Sequence, residues 1–167
     1  MIECLYKYNG LNVSKKQIIS VKKYRPRIFN CKIQNEKLSF KGYLVRMMFI
    51  ILTNAKLQVY YVTNDNQEVV HTSYVIPKCL KFRFMKKGDI EIGPCFTRKD
   101  FRGKGIYPTV LSCIVEENGP DKNYYMLVDE NNAASKRGME KAGFEEIGKV
   151  QCSGILKIRK NPLHTTP

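Results

Sequence analysis

The sequence predicts an α/β fold, and three observations carry that prediction. The runs LQVYYVT (57–63) and EVVHTSYVI (68–76) are rich in β-branched and aromatic residues, and the polar turn NDNQ joins them as a hairpin. The run DIEIGPCFT (89–97) is a further strand, followed by a glycine-containing loop and the apolar stretch IYPTVLSCIVEE. The run YYMLV (124–128) then returns as a strand, so strand, helix and strand form a parallel crossover unit. With 167 residues, 43% of them hydrophobic, and no repeat or linker, the chain is read as one domain over 1–167.

Taken in order, residues 1–37 are irregular in pattern, with a short helix expected over Ser14 to Lys23 and Ser14 as its N-cap. LSFKGYLVRMMFIIL (38–52) is apolar on nearly all sides and too long for a strand, which predicts a buried helix. It is also too short for a bilayer, which takes ~20 apolar residues. Gly93-Pro94 inside the third strand predicts a bulge, because proline cannot donate to a ladder. In the next helix Ile106, Val110 and Ile114 form one row and Tyr107, Leu111 and Val115 the adjoining one, with Pro108 tolerated in the first turn. Residues 124–128 are continuously apolar, as in a strand buried on both faces. Asn131 to Ala142 reads as a helix stopped by Gly143, and 144–150 and 151–158 as two closing strands.

Net charge is +14, and residues 1–46 hold eleven lysines and arginines against only Glu3 and Glu36. A second basic run is Lys78, Lys81, Arg83, Lys86 and Lys87. The expected partner is therefore anionic: a phosphorylated small molecule, nucleic acid or an acidic membrane surface. Peripheral membrane contact is one reading of the basic, apolar 38–52 segment. The six cysteines are scattered without a C-x-x-C pair and there are two histidines, so no metal site is expected. The thiols read as small apolar residues of a reduced cytoplasm, and Met1 to Gly10 has no signal-peptide pattern.

The stretch FRGKGIYP (101–108) places two glycines and two bases just before a helix. It is no Walker loop, since Gly105 follows Gly103-Lys104 where serine or threonine is needed. Nor is it a dinucleotide fingerprint, because Pro108 occupies a glycine position. What remains is an arch of N–H groups from Arg102 to Tyr107 at a helix N-terminus, suited to an anion, with Arg102 and Lys104 adding charge. A tight turn with solvated bases is the other reading.

Together, TRKDFRGKGIYPTVL and NNAASKRGMEKAGFEEIG resemble the GCN5-related N-acetyltransferase (GNAT) superfamily. Arg102, Gly105 and Tyr107 match the Arg/Gln-x-x-Gly-x-Gly/Ala loop that holds the coenzyme pyrophosphate. Asn132, Ser135, Glu140, Lys141, Gly143 and Phe144 match the later helix beside the pantetheine arm. The resemblance covers roughly 56–150, the expected cofactor-binding core, and leaves 1–55 as a variable basic segment. It implies a mixed, mostly antiparallel sheet with a splayed parallel strand pair, helices on both faces, and acetyl-CoA as co-substrate. Backbone groups of Cys95, Phe96 and Thr97 would meet the coenzyme, with Arg102, Gly103, Lys104, Gly105, Ile106, Tyr107, Asn132 and Ser135. Two departures stand out: Tyr107 closes the loop motif in place of glycine or alanine, and Met139 stands where many members carry a tyrosine acid.

On this reading an amine attacks the thioester directly, oriented by the site. Glu91 and His71 are candidate bases, and Tyr107 is the candidate acid. Cys95 reads as a structural thiol rather than a nucleophile, and Ser135 as a cap or a coenzyme contact. The acceptor would be a small-molecule amine. A nucleotide-linked amino sugar held by Lys86 and Lys87 is the conjecture, since the GKGIYP variant is similar to members linked with surface polysaccharides. The alternatives are a basic nucleic-acid-binding module and a catalytically silent coenzyme-binding protein, the latter permitted by Met139.

Overall fold

The computed structural model describes residues 2–10, 19–33, 35–36, 38–79, 82–119, 121–153 and 158–159. Among them eight strands and three helices alternate: β1 (Ile2–Tyr8), β2 (Lys22–Tyr24), α1 (Phe40–Leu52), β3 (Gln58–Thr63), β4 (Val69–Pro77), β5 (Ile90–Thr97), α2 (Ile106–Asn118), β6 (Tyr124–Asp129), α3 (Ala133–Lys141), β7 (Phe144–Ser153) and β8 (Ile158–Arg159). A 3₁₀ turn at Lys99–Phe101 precedes α2. The strands form one sheet in the order β2-β3-β4-β5-β6-β1-β7-β8. Every neighbouring pair is antiparallel except β5 and β6, which are parallel as the crossover unit requires.

Strand alternation sorts the core into two layers. Tyr60, Val62, Tyr124, Met126 and Val128 face α2 and α3, and pack with Ile106, Val110, Leu111, Ile114, Val115 and Met139. Val59, Tyr61, Tyr125 and Leu127 face the other way, toward Phe49 and Ile50 of α1 and the segments around Ile33 and Phe82. The two-sided burial expected of 124–128 follows from this arrangement.

The expected hairpin is β3–β4, and the expected bulge is present. Ser73 pairs with Cys95 and Val75 with Ile92, so Gly93 and Pro94 oppose the single residue Tyr74. Beside the bulge, β5 and β6 are in register only at Ile90–Tyr124 and Glu91–Tyr125. Beyond them β5 runs on to Thr97 and β6 to Asp129 without pairing to each other, which opens a V in the middle of the sheet.

Several expectations are corrected. The N-terminus is not irregular: β1 lies between β6 and β7, so the sheet reaches well outside 56–150. Residues 22–24 are an edge strand instead of the end of a helix, and Ser14, its expected cap, lies outside the described residues. The helix at 40–52 is buried on one side only, with Phe40, Leu44 and Ile51 exposed. Ser39 caps it by accepting from the Gly42 N–H at 3.1 Å. The two closing strands are one ten-residue strand, β7, followed by the two-residue β8.

A buried ion pair ties α1 to the chain before it. Arg46, fully buried, donates to both Glu36 carboxylate oxygens at 2.7 Å, to the Cys31 carbonyl at 2.7 Å and to the Tyr74 hydroxyl at 2.9 Å. Four charge-assisted bonds offset the desolvation of a guanidinium that would otherwise be expelled from an apolar layer.

Candidate functional site

A pocket of about 510 Å³ opens where the V meets the helices. One wall is the end of β5 (Cys95, Phe96, Thr97), paired with β4 on one edge and open on the edge toward β6. The floor is the loop and first turn of α2 (Phe101, Arg102, Gly103, Gly105, Ile106, Tyr107, Pro108). The opposite wall is one face of α3, at Asn132, Ala134, Ser135, Arg137, Gly138 and Lys141.

The loop's geometry follows from its glycines. Gly103 (φ 76°) and Gly105 (φ 70°) both adopt the left-handed conformation that a side chain disfavours. The turn delivers the chain into α2 with Gly105 at its N-cap. Among the described residues, no group accepts from the amides of Gly103, Gly105, Ile106 or Tyr107. Four donors therefore lie beside the positive end of a helix dipole. The Arg102 amide is not part of this arch, since it donates to the Lys99 carbonyl at 3.2 Å. Its side chain is held instead, with Nε donating to the Thr97 carbonyl at 3.0 Å, so the guanidinium lies along the pocket rim. Lys104 does not line the pocket; its ammonium sits 4.8 Å from the Phe101 ring centroid, with Arg98 also 5.3 Å from that ring.

Asn132 caps α3 by accepting from the Ser135 N–H at 3.1 Å, so Ser135 receives the cap instead of supplying it. Gly138 lets α3 approach α2: a Cβ there would lie 2.5 Å from Tyr107 Cδ1 and 2.8 Å from Cε1. Tyr107 thus lies between Gly138 and the His71 ring, whose centroid is 6.0 Å away. Burial, with Cys95 and Glu91 close by, pushes the Tyr107 phenol well above its usual range. Burial likewise raises the Cys95 thiol to about 12, which keeps it from being a thiolate nucleophile near neutrality.

His71 does not line the pocket. It is 1% exposed behind Thr97, with Nδ1 2.7 Å from Thr97 Oγ1 and Nε2 2.8 Å from Ser73 Oγ. Burial lowers its pKa to about 4, so it stands neutral between two hydroxyls. Glu91 is buried as well, and by alternation with Ile90 and Ile92 it points to the α1 side of the sheet. Its Oε1 reaches along the strand to within 2.9 Å of where a Gly93 Cβ would be, beside the opening. Lys86 and Lys87 precede β5, whereas the pocket is at its other end, roughly 25 Å away at strand rise. The structure does not bring them to the site.

Arg137, Gly138 and Ser73 were missed in the sequence. Gly138 carried a legible signal, a glycine inside a helix, where it costs stability unless something packs against it. Met139, the position aligned with a tyrosine acid, is 1% exposed within the core and faces away from solvent.

No family model matches this sequence, and no curated protein matches it. Its structure is similar to that of an acetyltransferase from the GNAT family from Colwellia psychrerythraea, with a TM-score of 0.65 and 12% identity over 87% of this chain and 52% of that one. It is also similar to a GCN5-related N-acetyltransferase from Sphaerobacter thermophilus, with a TM-score of 0.57 and 11% identity over 89% of this chain and 49% of that one. The chain thus spans about half the length of these solved chains. It has the GNAT fold: the same mixed sheet with one parallel pair, reached at an identity that shows architecture alone.

Proposed function

We propose that this chain is an acetyl-CoA-dependent N-acetyltransferase acting on a small-molecule amine. The observation that carries the reading is one pocket joining four amides left unbonded among the described residues (Gly103, Gly105, Ile106, Tyr107) at a helix N-terminus to the edge of β5 that β6 leaves unpaired. An elongated ligand with phosphates at one end and amides along its length fits both features. When bound, the coenzyme supplies an activated acetyl thioester.

The residues divide the work as follows. The amides of Gly103, Gly105, Ile106 and Tyr107, with Arg102, Arg137 and Lys141 around them, take the phosphates. Backbone groups of Cys95, Phe96 and Thr97 pair with the amides of the arm and polarise the carbonyl to be attacked. Glu91, on the far side of the opening, accepts the proton of an incoming ammonium directly or through water. Tyr107 keeps its proton at every physiological pH and is the donor assigned to the sulfur that leaves, the role Met139 cannot fill, with the proton given up by the attacking amine restoring the phenol. Neutral His71 positions Thr97 and Ser73, and does not act as a base. Amino-sugar nucleotides remain the acceptors to try first, recognised by groups other than Lys86 and Lys87.

Calorimetric titration with acetyl-CoA, dephospho-coenzyme A, ATP and a short DNA duplex tests the reading, followed by free-thiol release with an amine panel. Micromolar binding of acetyl-CoA with amine-dependent thiol release is expected. Binding without turnover on any amine would favour the silent protein, and DNA binding without coenzyme binding would overturn the assignment.

A further inference from the structure

Away from the pocket, the α1 side of the molecule presents apolar side chains to water. On α1, Phe40 is 78% exposed, Leu44 52% and Ile51 67%. Their spacing of four and seven sets them along one stripe of the helix, opposite Arg46, Phe49 and Ile50, which face the core. The turn at Arg27–Asn30 adds Ile28, 52% exposed, and Phe29, fully exposed. Arg46 and the Cys31 carbonyl join the chain just after this turn to α1, so both features belong to the layer on one face of the sheet. Scattered exposed apolar residues are ordinary, but an exposed apolar helix stripe and a bare aromatic turn on one face of the sheet offer a surface for contact.

Charge selects the partner. Between 19 and 56 the one acidic residue is Glu36, which is buried and neutralised by Arg46. Around the apolar groups stand Arg25, Arg27, Lys32 and Lys41, all exposed. A second copy would bring two like-charged rims together, each on a chain of net charge +14. Nucleic acid would satisfy the cations but leave Phe29, Phe40, Leu44 and Ile51 in water. An anionic bilayer surface accepts both: headgroup charge meets the cations while the rings and aliphatic groups enter the interfacial layer.

We infer that this chain docks peripherally on anionic lipid bilayers through the outer stripe of α1 and the Ile28-Phe29 turn. No helix among the described residues is long and apolar enough to cross the membrane, so the contact is interfacial. Because α2 and α3 lie on the opposite sheet face, the pocket stays turned away from the lipid. The inference does not rest on the acetyl-transfer reading.

Vesicle flotation with the full chain tests it, comparing phosphatidylcholine alone with a mixture containing about one-third phosphatidylserine at ~0.1 M salt. The chain is expected to float with the anionic vesicles only. Arg25→Gln with Arg27→Gln should weaken partitioning about fivefold per cation removed. Phe29→Ser with Leu44→Ser should weaken it at least tenfold, and as exposed positions they should leave the circular dichroism and melting temperature unchanged. Absence of flotation with anionic vesicles overturns the inference. So does flotation that the apolar substitutions leave intact, which would be plain charge attraction. Concentration-dependent dimerisation, lost in Phe29→Ser with Leu44→Ser, would assign the surface to a second copy instead.

Discussion

Gly138→Ala is the substitution whose outcome most directly reports how the pocket is built. In an ordinary helix it would stabilise by about 0.5–1 kcal/mol, since glycine gives up more backbone freedom on folding than alanine. Here the new methyl would meet the Tyr107 ring at 2.5 Å, in a place where ordinary carbon–carbon contact is about 3.5–4 Å. The ring must therefore retreat by roughly 1 Å, and overpacking of this kind costs about 1–3 kcal/mol. The net expectation is a loss of about 0–2 kcal/mol, or a fall in Tm of up to several degrees for a chain of this size. The larger effect should be functional, because a ~1 Å displacement of a reacting group can cost on the order of a hundredfold in rate. Urea denaturation and thiol-release kinetics measure the two separately. Adding Tyr107→Ala removes the clash, and Gly138→Ala should then recover its helix-propensity gain in that background. A single variant that is more stable by the full propensity difference, with coenzyme affinity and turnover unchanged, would refute the packing of Tyr107 against α3 and with it the role given to its hydroxyl.

Other outcomes follow from the same geometry. Glu36→Gln leaves the fully buried Arg46 guanidinium without its counter-charge and should destabilise by about 3–5 kcal/mol in urea, whereas Arg46→Met with Glu36→Met should cost much less. Gly105→Ala forces a side chain into φ 70° and should cost about 1–2 kcal/mol while weakening coenzyme binding in calorimetry. His71 is neutral in the fold to about pH 4, but in the unfolded chain it protonates near 6.5. The unfolded state therefore binds the extra proton across that window, and stability falls as pH drops from 6.5 to 4, by about 3 kcal/mol at the low end. His71→Gln should flatten that dependence in urea titrations at pH 7 and pH 4. Because the Tyr107 phenol is held well above its usual range, turnover should show no alkaline loss from this group below pH 10, while Tyr107→Phe should lower kcat more than coenzyme affinity.

The readable parts of this protein were those whose signals are local. The β3–β4 hairpin, the bulge at Gly93-Pro94, the amphipathic α2 and the glycine loop each follow from short-range rules of backbone freedom and side-chain period. The segment over residues 2–8 was not readable in this way. Its alternation IECLYKY is brief, and its pairing with β6 and β7 bridges more than a hundred residues of sequence, so nothing adjacent announces a central strand. Residues 22–24 went the same way, because a three-residue edge strand carries too few positions for a period.

By itself, the sequence determined the fold class, the parallel crossover and the strand-to-helix loop with its surplus of glycine and positive charge. Only the tertiary structure decided which groups meet. It buried His71 between two hydroxyls, turned Met139 into the core, sent Glu91 to the far side of the sheet, and set Lys86 and Lys87 at the wrong end of β5. It also paired Tyr107 with Gly138 and left the α1 stripe uncovered. The physical reason is that periodicity and turn chemistry act over a few residues, whereas the side of a sheet, the end of a strand and the depth of a side chain are set by contacts between segments distant in sequence.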